Sequence, residues 1–116
     1  MLYAEYMNVL DRVIRATNGG LRNVVQGGSV GPEELAALTG DLKRLGELRW
    51  EIEVLGSDEV LPPVQDAHLD VLRRRDALVH AMSSGAAEEA ARLVDSDQWQ
   101  DYFTVMEAFR GDLRRP

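Results

Sequence analysis

Apolar residues near the start of the chain recur at intervals of four and three: Tyr3, Met7, Leu10, Ile14, Leu21 and Val24, with Thr17 between Ile14 and Leu21. Side chains spaced this way share one face of an α-helix, because one turn takes 3.6 residues. Tyr6, Val13 and Val25 widen the stripe, and Glu5, Asp11, Arg12 and Arg15 fall on the other side. A stripe of this kind has to be hidden against other helices. No segment of the chain shows the strict two-residue alternation of a half-buried strand. Asn18, Gly19 and Gly20 interrupt the pattern, and glycine inside a helix costs about 1 kcal/mol relative to alanine. The stripe resumes in register at Leu21, so one helix, continuous or slightly bent, is predicted to about Gln26.

The remaining sequence repeats the theme. Gly27 to Gly31 reads as a loop. Pro32 with Glu33 and Glu34 reads as a helix start, since proline lacks only an N–H that has no partner there and the carboxylates complement the positive end of the helix dipole. Leu35, Leu38, Leu42, Leu45, Leu48, Ile52 and Leu55 form the second stripe, with Gly56 as its expected C-cap. Ser57 is the expected cap of a third helix with Asp58 and Glu59 in its first turn, while Pro62 and Pro63 predict a kinked or staggered start. Its expected buried face is Val64, Val71, Leu72, Leu78, Val79 and Met82, ending at Ser83-Ser84-Gly85. Ala86 to Val94 is predicted as a short helix, with a break near Asp95 because Leu93 points away from the face that follows. Asp95 or Ser96 is expected to cap the last helix, whose stripe is Trp99, Tyr102, Phe103, Met106, Phe109 and Leu113, before the polar tail Arg114-Arg115-Pro116. Short connections favour antiparallel neighbours. The expected fold is therefore all-α and a single domain over residues 1–116: an antiparallel up-down four-helix bundle with a short extra helix before the last long one.

Composition narrows the chemistry. The absence of cysteine removes disulfides, thiolate metal sites and cysteine nucleophiles. Twenty acidic against 13 basic residues give a formal charge of −7, which repels phosphate backbones and disfavours nucleic acid as a partner. All the basic residues except Lys43 are arginine, a bias that fits high-GC coding better than phosphate recognition. No apolar run approaches the roughly 20 residues of a membrane span, and Met-Leu-Tyr-Ala-Glu lacks the pattern of a secretion signal. The expected location is cytoplasmic, as a soluble chain or the cytosolic part of a membrane-anchored protein, with no membrane contact by the chain itself.

Several patterns bear on function. Gly27-Gly28-Ser29-Val30-Gly31 matches G-x-S-x-G, but that nucleophile turn follows a strand and faces a histidine, and neither context is present. The same glycines lack the lysine of a phosphate-cradling loop. Helical projection puts Arg49 near the centre of the second helix's apolar stripe, and His68 and Arg75 near the centre of the third's. A buried guanidinium needs a partner. Asp41, Glu53 or Asp76 could pair with these arginines inside the chain; the alternatives are a polar seam facing a second copy or a protein partner, and a ligand site within the bundle. His68 has no ligand residue at i+4, which argues against a metal, and no catalytic residue or cofactor is predicted. Arg73-Arg74-Arg75, flanked by Asp70 and Asp76, reads as a solvated, internally paired face. The aromatic stripe of the last helix reads as core. Glu34-Leu35-Ala36-Ala37-Leu38-Thr39-Gly40 is similar to the first helix and turn of helix-turn-helix regulators, although the residues that follow carry more leucine and carboxylate than a major groove accepts.

Leu2-Tyr3-Ala4-Glu5-Tyr6-Met7-Asn8-Val9-Leu10-Asp11, followed later by Glu51-Ile52-Glu53-Val54-Leu55-Gly56-Ser57-Asp58-Glu59-Val60, resembles a loosely defined group of uncharacterised helical proteins from high-GC bacteria. The likeness follows the order of the helices through most of the chain. Members of the group often carry a membrane-spanning helix just ahead of the Tyr-rich helix, and no N-cap residue precedes Leu2 here, which points to a helix continuing upstream. The resemblance implies no activity. The functional expectation is a non-enzymatic helical interaction or regulatory module whose partner is another protein or a second copy. The alternatives are a helix-turn-helix DNA-binding regulator and small-molecule binding within the bundle.

Overall fold

Proline and glycine mark the first three breaks and Asp95-Ser96-Asp97-Gln98 the fourth, dividing the chain into five helices: α1 (Leu2–Val25), α2 (Pro32–Leu55), α3 (Leu61–Ser84), α4 (Glu88–Val94) and α5 (Trp99–Leu113). The computed structural model describes residues 1–85 and 87–114, and no strand occurs among them. The fold is all-α. Ala86 and the Arg115-Pro116 end of the polar tail lie outside the described residues, so the expected short helix is seen from Glu88 onward.

α1 and α3 are the elements around which the others gather. Each packs against all four other helices, whereas among the described residues α2 packs only on α1 and α3. The result is an elongated, flattened body of 51 × 25 × 16 Å. Tyr6, Leu10, Ile14 and Leu21 of α1, Leu45, Leu48 and Ile52 of α2, and Val64, Val71 and Leu78 of α3 are all buried in one core. Polar contacts fix the register between helices. Arg12 meets Asp41 at 3.2 Å and Arg44 meets Glu5 at 2.6 Å across α1 and α2. Tyr3 stacks on Phe109 with ring centroids 4.0 Å apart and donates from its hydroxyl to Asp112 at 2.7 Å, tying α1 to α5. At the other end of α5, the Gln98 amide donates to Thr17 Oγ1 at 3.0 Å, a buried pair in which each polar group satisfies the other.

α1 runs unbroken through Gly19 and Gly20, and Gly20 has a packing role: a Cβ there would lie 2.9 Å from Leu78 Cδ2 and 3.2 Å from Val30 Cγ2. α2 also runs unbroken through Gly40, so the sharp turn that the helix-turn-helix pattern requires at that glycine is not formed.

Other expectations change at the helix ends. Ser57 does not cap α3: residues 57–60 make a separate turn closed by Val60 N–H to the Ser57 carbonyl at 3.1 Å, and Val60 is the N-cap, with Pro62 and Pro63 in the first turn. Proline there loses no helical hydrogen bond. Gly56 is the C-cap of α2, as expected, with its N–H donating to the Ile52 carbonyl at 2.7 Å, but at φ −83° it is not left-handed. Its lack of a side chain matters for space, since a Cβ would lie 2.7 Å from the Ile52 carbonyl oxygen. The left-handed cap is Gly85, at φ 74°, which closes α3. Neither Asp95 nor Ser96 caps α5. Gln98 is its N-cap, and the Asp97 carboxylate accepts the Trp99 N–H at 3.0 Å. The expected core also thins at its margins: Leu55, Val79, Phe103 and Leu113 are exposed, and Val105 joins Phe109 as the buried part of α5.

Candidate functional site

Of the three polar residues singled out by helical projection, the fold brings two together. Arg49 on α2 and His68 on α3 line one cleft of about 280 Å³ with Gln65, Leu69 and Leu72. Arg49 Nη1 donates to Glu53 Oε1 at 2.6 Å, one helical turn along, and the Gln65 side-chain amide reaches the same oxygen at 3.4 Å. Glu53 therefore holds the guanidinium and the amide at the cleft wall. Gly46 lies beside the imidazole, where an added Cβ would make only an ordinary contact, 3.9 Å from His68 Cε1. Arg49 Nε and His68 Nδ1 are each shielded from solvent and have no hydrogen-bond partner among the described residues. A shielded polar atom without a partner costs about 1–3 kcal/mol, so these two groups lower the stability of the fold on the wall of this cleft. Burial lowers the His68 pKa, the Arg49 charge lowers it further, and Glu53 opposes them. The imidazole is therefore neutral at neutral pH, offering one donor and one acceptor.

Arg75 is not part of this cleft. It lies on the flank of α3 and pairs with its neighbour Asp76 at 2.9 Å, in an exposed contact. The arginine that enters the interior is Arg74, 2 % exposed. Its Nε meets Asp70 at 2.9 Å, Nη1 donates to the Leu93 carbonyl at 2.9 Å, and Nη2 donates to Ser96 Oγ at 2.7 Å. The Leu93 carbonyl belongs to the last turn of α4, where helix carbonyls lack partners and a cation is favoured. The basic run is thus paired throughout, with Arg73 on Glu89 at 3.1 Å, but its middle member is not solvated. Asp41, one of the expected partners for these arginines, is engaged by Arg12 instead.

Sequence reasoning also missed Asp101 on α5. It faces Asp70 and Asp66 across the α3–α5 contact. Burial, its hydrogen bond to Asp70 and the charge of that carboxylate raise its pKa to about 7, with Arg74 opposing. Asp101 thus keeps its proton to near neutrality opposite a carboxylate on the adjoining helix, an arrangement that no local pattern announces because the residues lie 31 positions apart. Ser29 is exposed in its loop, where its carbonyl accepts a hydrogen bond from the Asn23 side chain at 2.8 Å. The cleft beside it is lined by Val24, Gly27, Gly28, Ala81, Met82, Gly85 and Ala87, and by neither histidine. Among the described residues no three His, Asp or Glu side chains gather as a metal site. No helix there is long and apolar enough to cross a membrane.

Compared with protein-family models, curated proteins and solved structures, the chain matches none.

Proposed function

We propose that this chain is a non-enzymatic helical interaction module, an up-down bundle of four long antiparallel helices whose outer α2–α3 face pairs with a second copy. The antiparallel order is supported by the contacts between helices: residue 5 lies by 44 and residue 12 by 41, residue 3 by 112 and residue 17 by 98, each pair closing as one helix ascends and the other descends. The observation that carries the function is on the outer face. Trp50 and Val54 on α2 are 64 % and 62 % exposed, and Leu69 on α3 is 65 % exposed. Large exposed apolar side chains on the two helices that flank a polar cleft suit an interface core with a polar rim. The charge balance selects the occupant. In a molecule of charge −7, two copies repel, yet on this face Arg49 is matched by Glu53, Arg75 by Asp76 and Arg73 by Glu89. These pairs reduce the like-charge repulsion between two acidic molecules that meet on this side.

Sedimentation equilibrium over a range of protein concentrations tests the reading. A reversible dimer is expected, and Trp50→Glu and Leu69→Glu, both at exposed positions, should each shift it to monomer. A chain that stays monomeric at high micromolar concentration, or variants that dimerise as well as the parent, would refute it.

A further inference from the structure

We propose that α5 is an acid-closed arm: the protonated carboxyl of Asp101 fastens it to Asp70 on α3, and ionisation of that carboxyl opens the α3–α5 seam while α5 stays attached to α1. α5 packs on α1 and α3 only and takes no part in the outer α2–α3 face, so this device and the pairing of copies stand or fall separately. The seam is built around one buried cation. Asp66, Asp70 and Arg74 follow at four-residue intervals on one face of α3. Arg74 is held by Asp70 at 2.9 Å, by the Leu93 carbonyl at 2.9 Å and by Ser96 Oγ at 2.7 Å, which lays the chain entering α5 against that face. Asp101, in the first turn of α5, meets Asp70 and Asp66 there. While Asp101 is protonated it bonds to Asp70, and two carboxylates face one guanidinium. Once it is ionised, three carboxylates face that guanidinium and the bond between the helices is lost. From α1, the other element packed on α5, the titratable group near Asp101 is Tyr6, whose hydroxyl burial keeps neutral.

The side on which the arm stays attached follows from its other contacts. Gln98 donates to Thr17 Oγ1 at 3.0 Å near one end of α5, and Tyr3 stacks on Phe109 and donates to Asp112 at 2.7 Å near the other. These ties run to α1, and none involves Asp101. Val105 and Phe109 are the buried residues of α5, so little apolar burial opposes its release from α3. Val105 lies one turn beyond Asp101 on the same face, and opening the seam bares it. The sense of the pH dependence is set by Asp101. Burial, the hydrogen bond to Asp70 and the charge of that carboxylate raise its pKa to about 7 in the closed arm, against an ordinary value of about 4 in the open one. Closure is therefore firmest below about pH 4, weakens as the pH rises to about 7 and levels off above it.

Amide hydrogen exchange of the whole protein at about pH 5 and about pH 8, corrected for the intrinsic rates, tests this. A helix of 15 residues frays once it leaves its support, so the amides of α5 report the opening. Their protection relative to that of α2 should fall at least about tenfold between the two conditions; the two titration points set a limit of roughly eightyfold, which screening on the open side of Asp101 reduces. Asp101→Asn should abolish the fall, because its amide can donate to Asp70 at either pH. Glu107→Gln, which removes an exposed carboxylate from the same helix, should keep it. Unchanged protection of α5, an equal loss in α2 and α5, or a fall in Asp101→Asn as large as in the parent would overturn the proposal, as would a Glu107→Gln variant that flattens the response equally.

Discussion

Replacing Arg74 with alanine puts the most severe demand on the account of how α3, α4 and α5 are held together. The side chain is 3 % exposed and makes three contacts, to Asp70, to the Leu93 carbonyl and to Ser96; alanine removes the cation and strands the Asp70 carboxylate, while Ser96 Oγ still donates to the Leu93 carbonyl at 2.7 Å. Asp70 is 21 % exposed, so its charge has little water to fall back on. Breaking such a pair from one side costs about 3–5 kcal/mol, a large part of the roughly 5–15 kcal/mol that holds a domain of this size folded. The thermal midpoint should fall by roughly 10–20 °C. Arg75→Ala is the natural comparison, because its pair with Asp76 is exposed and should change stability by no more than about 0.5 kcal/mol. Urea unfolding followed by circular dichroism measures both. If the cost comes from the stranded carboxylate, Asp70→Asn combined with Arg74→Met should recover much of the loss. Equal effects of the Arg74 and Arg75 substitutions, or a double variant no better than Arg74→Ala, would refute the reasoning.

Three further outcomes are expected. Asp101 has its pKa raised to about 7 in the folded chain, so the folded state holds this proton more tightly than the unfolded one; the resulting stability is full below about pH 4 and is lost as pH rises through 7. Asp101→Asn should flatten that slope and exceed the parent in stability above pH 7 by about 1–2 kcal/mol, screening on its open side limiting the gain, as pH-resolved denaturation will show. Neighbouring glycines of α1 should respond in opposite directions: Gly19→Ala, with nothing within 4 Å of the added carbon, raises stability by ~0.5–1 kcal/mol, whereas Gly20→Ala presses on fully buried Leu78 and lowers it by about 1 kcal/mol. Gly40→Ala, likewise in open space within α2, should raise the melting temperature, and a drop would signal a turn at that position.

The long helices were readable because each hides one continuous stripe, and a stripe at three- and four-residue spacing is a local property of the chain. Leu10, Leu45 and Leu78, the middle of three such stripes, are fully buried. The errors cluster where burial depends on a neighbour instead of on spacing. Projection centred the third helix on Arg75, but α4 and α5 approach α3 from the other flank and turn Arg74 inward, where the end of a seven-residue helix supplies its acceptors. Leu55 and Leu113 fit their stripes and are nevertheless exposed, because both stand in the last turns of their helices, where the core runs out. The cleft was half legible: the polarity of Arg49 and His68 within apolar stripes was visible, whereas Gln65 and Leu69 are unremarkable surface residues until α2 is laid beside them.

The placement of α1 has a consequence for how such a chain can change over time. A buried residue on α1 answers to several surfaces at once, since every other helix leans on it, and Tyr6 alone touches the ring of Phe109 and the carbonyl of Val64. A substitution there must suit all of those neighbours in one step, because a close-packed interior leaves no slack to absorb a misfit. Exposed positions such as Leu69 answer to no internal neighbour of that kind. In any lineage carrying this fold, α1 should be the conservative spine, and the outward side of α3 the place where new preferences arise.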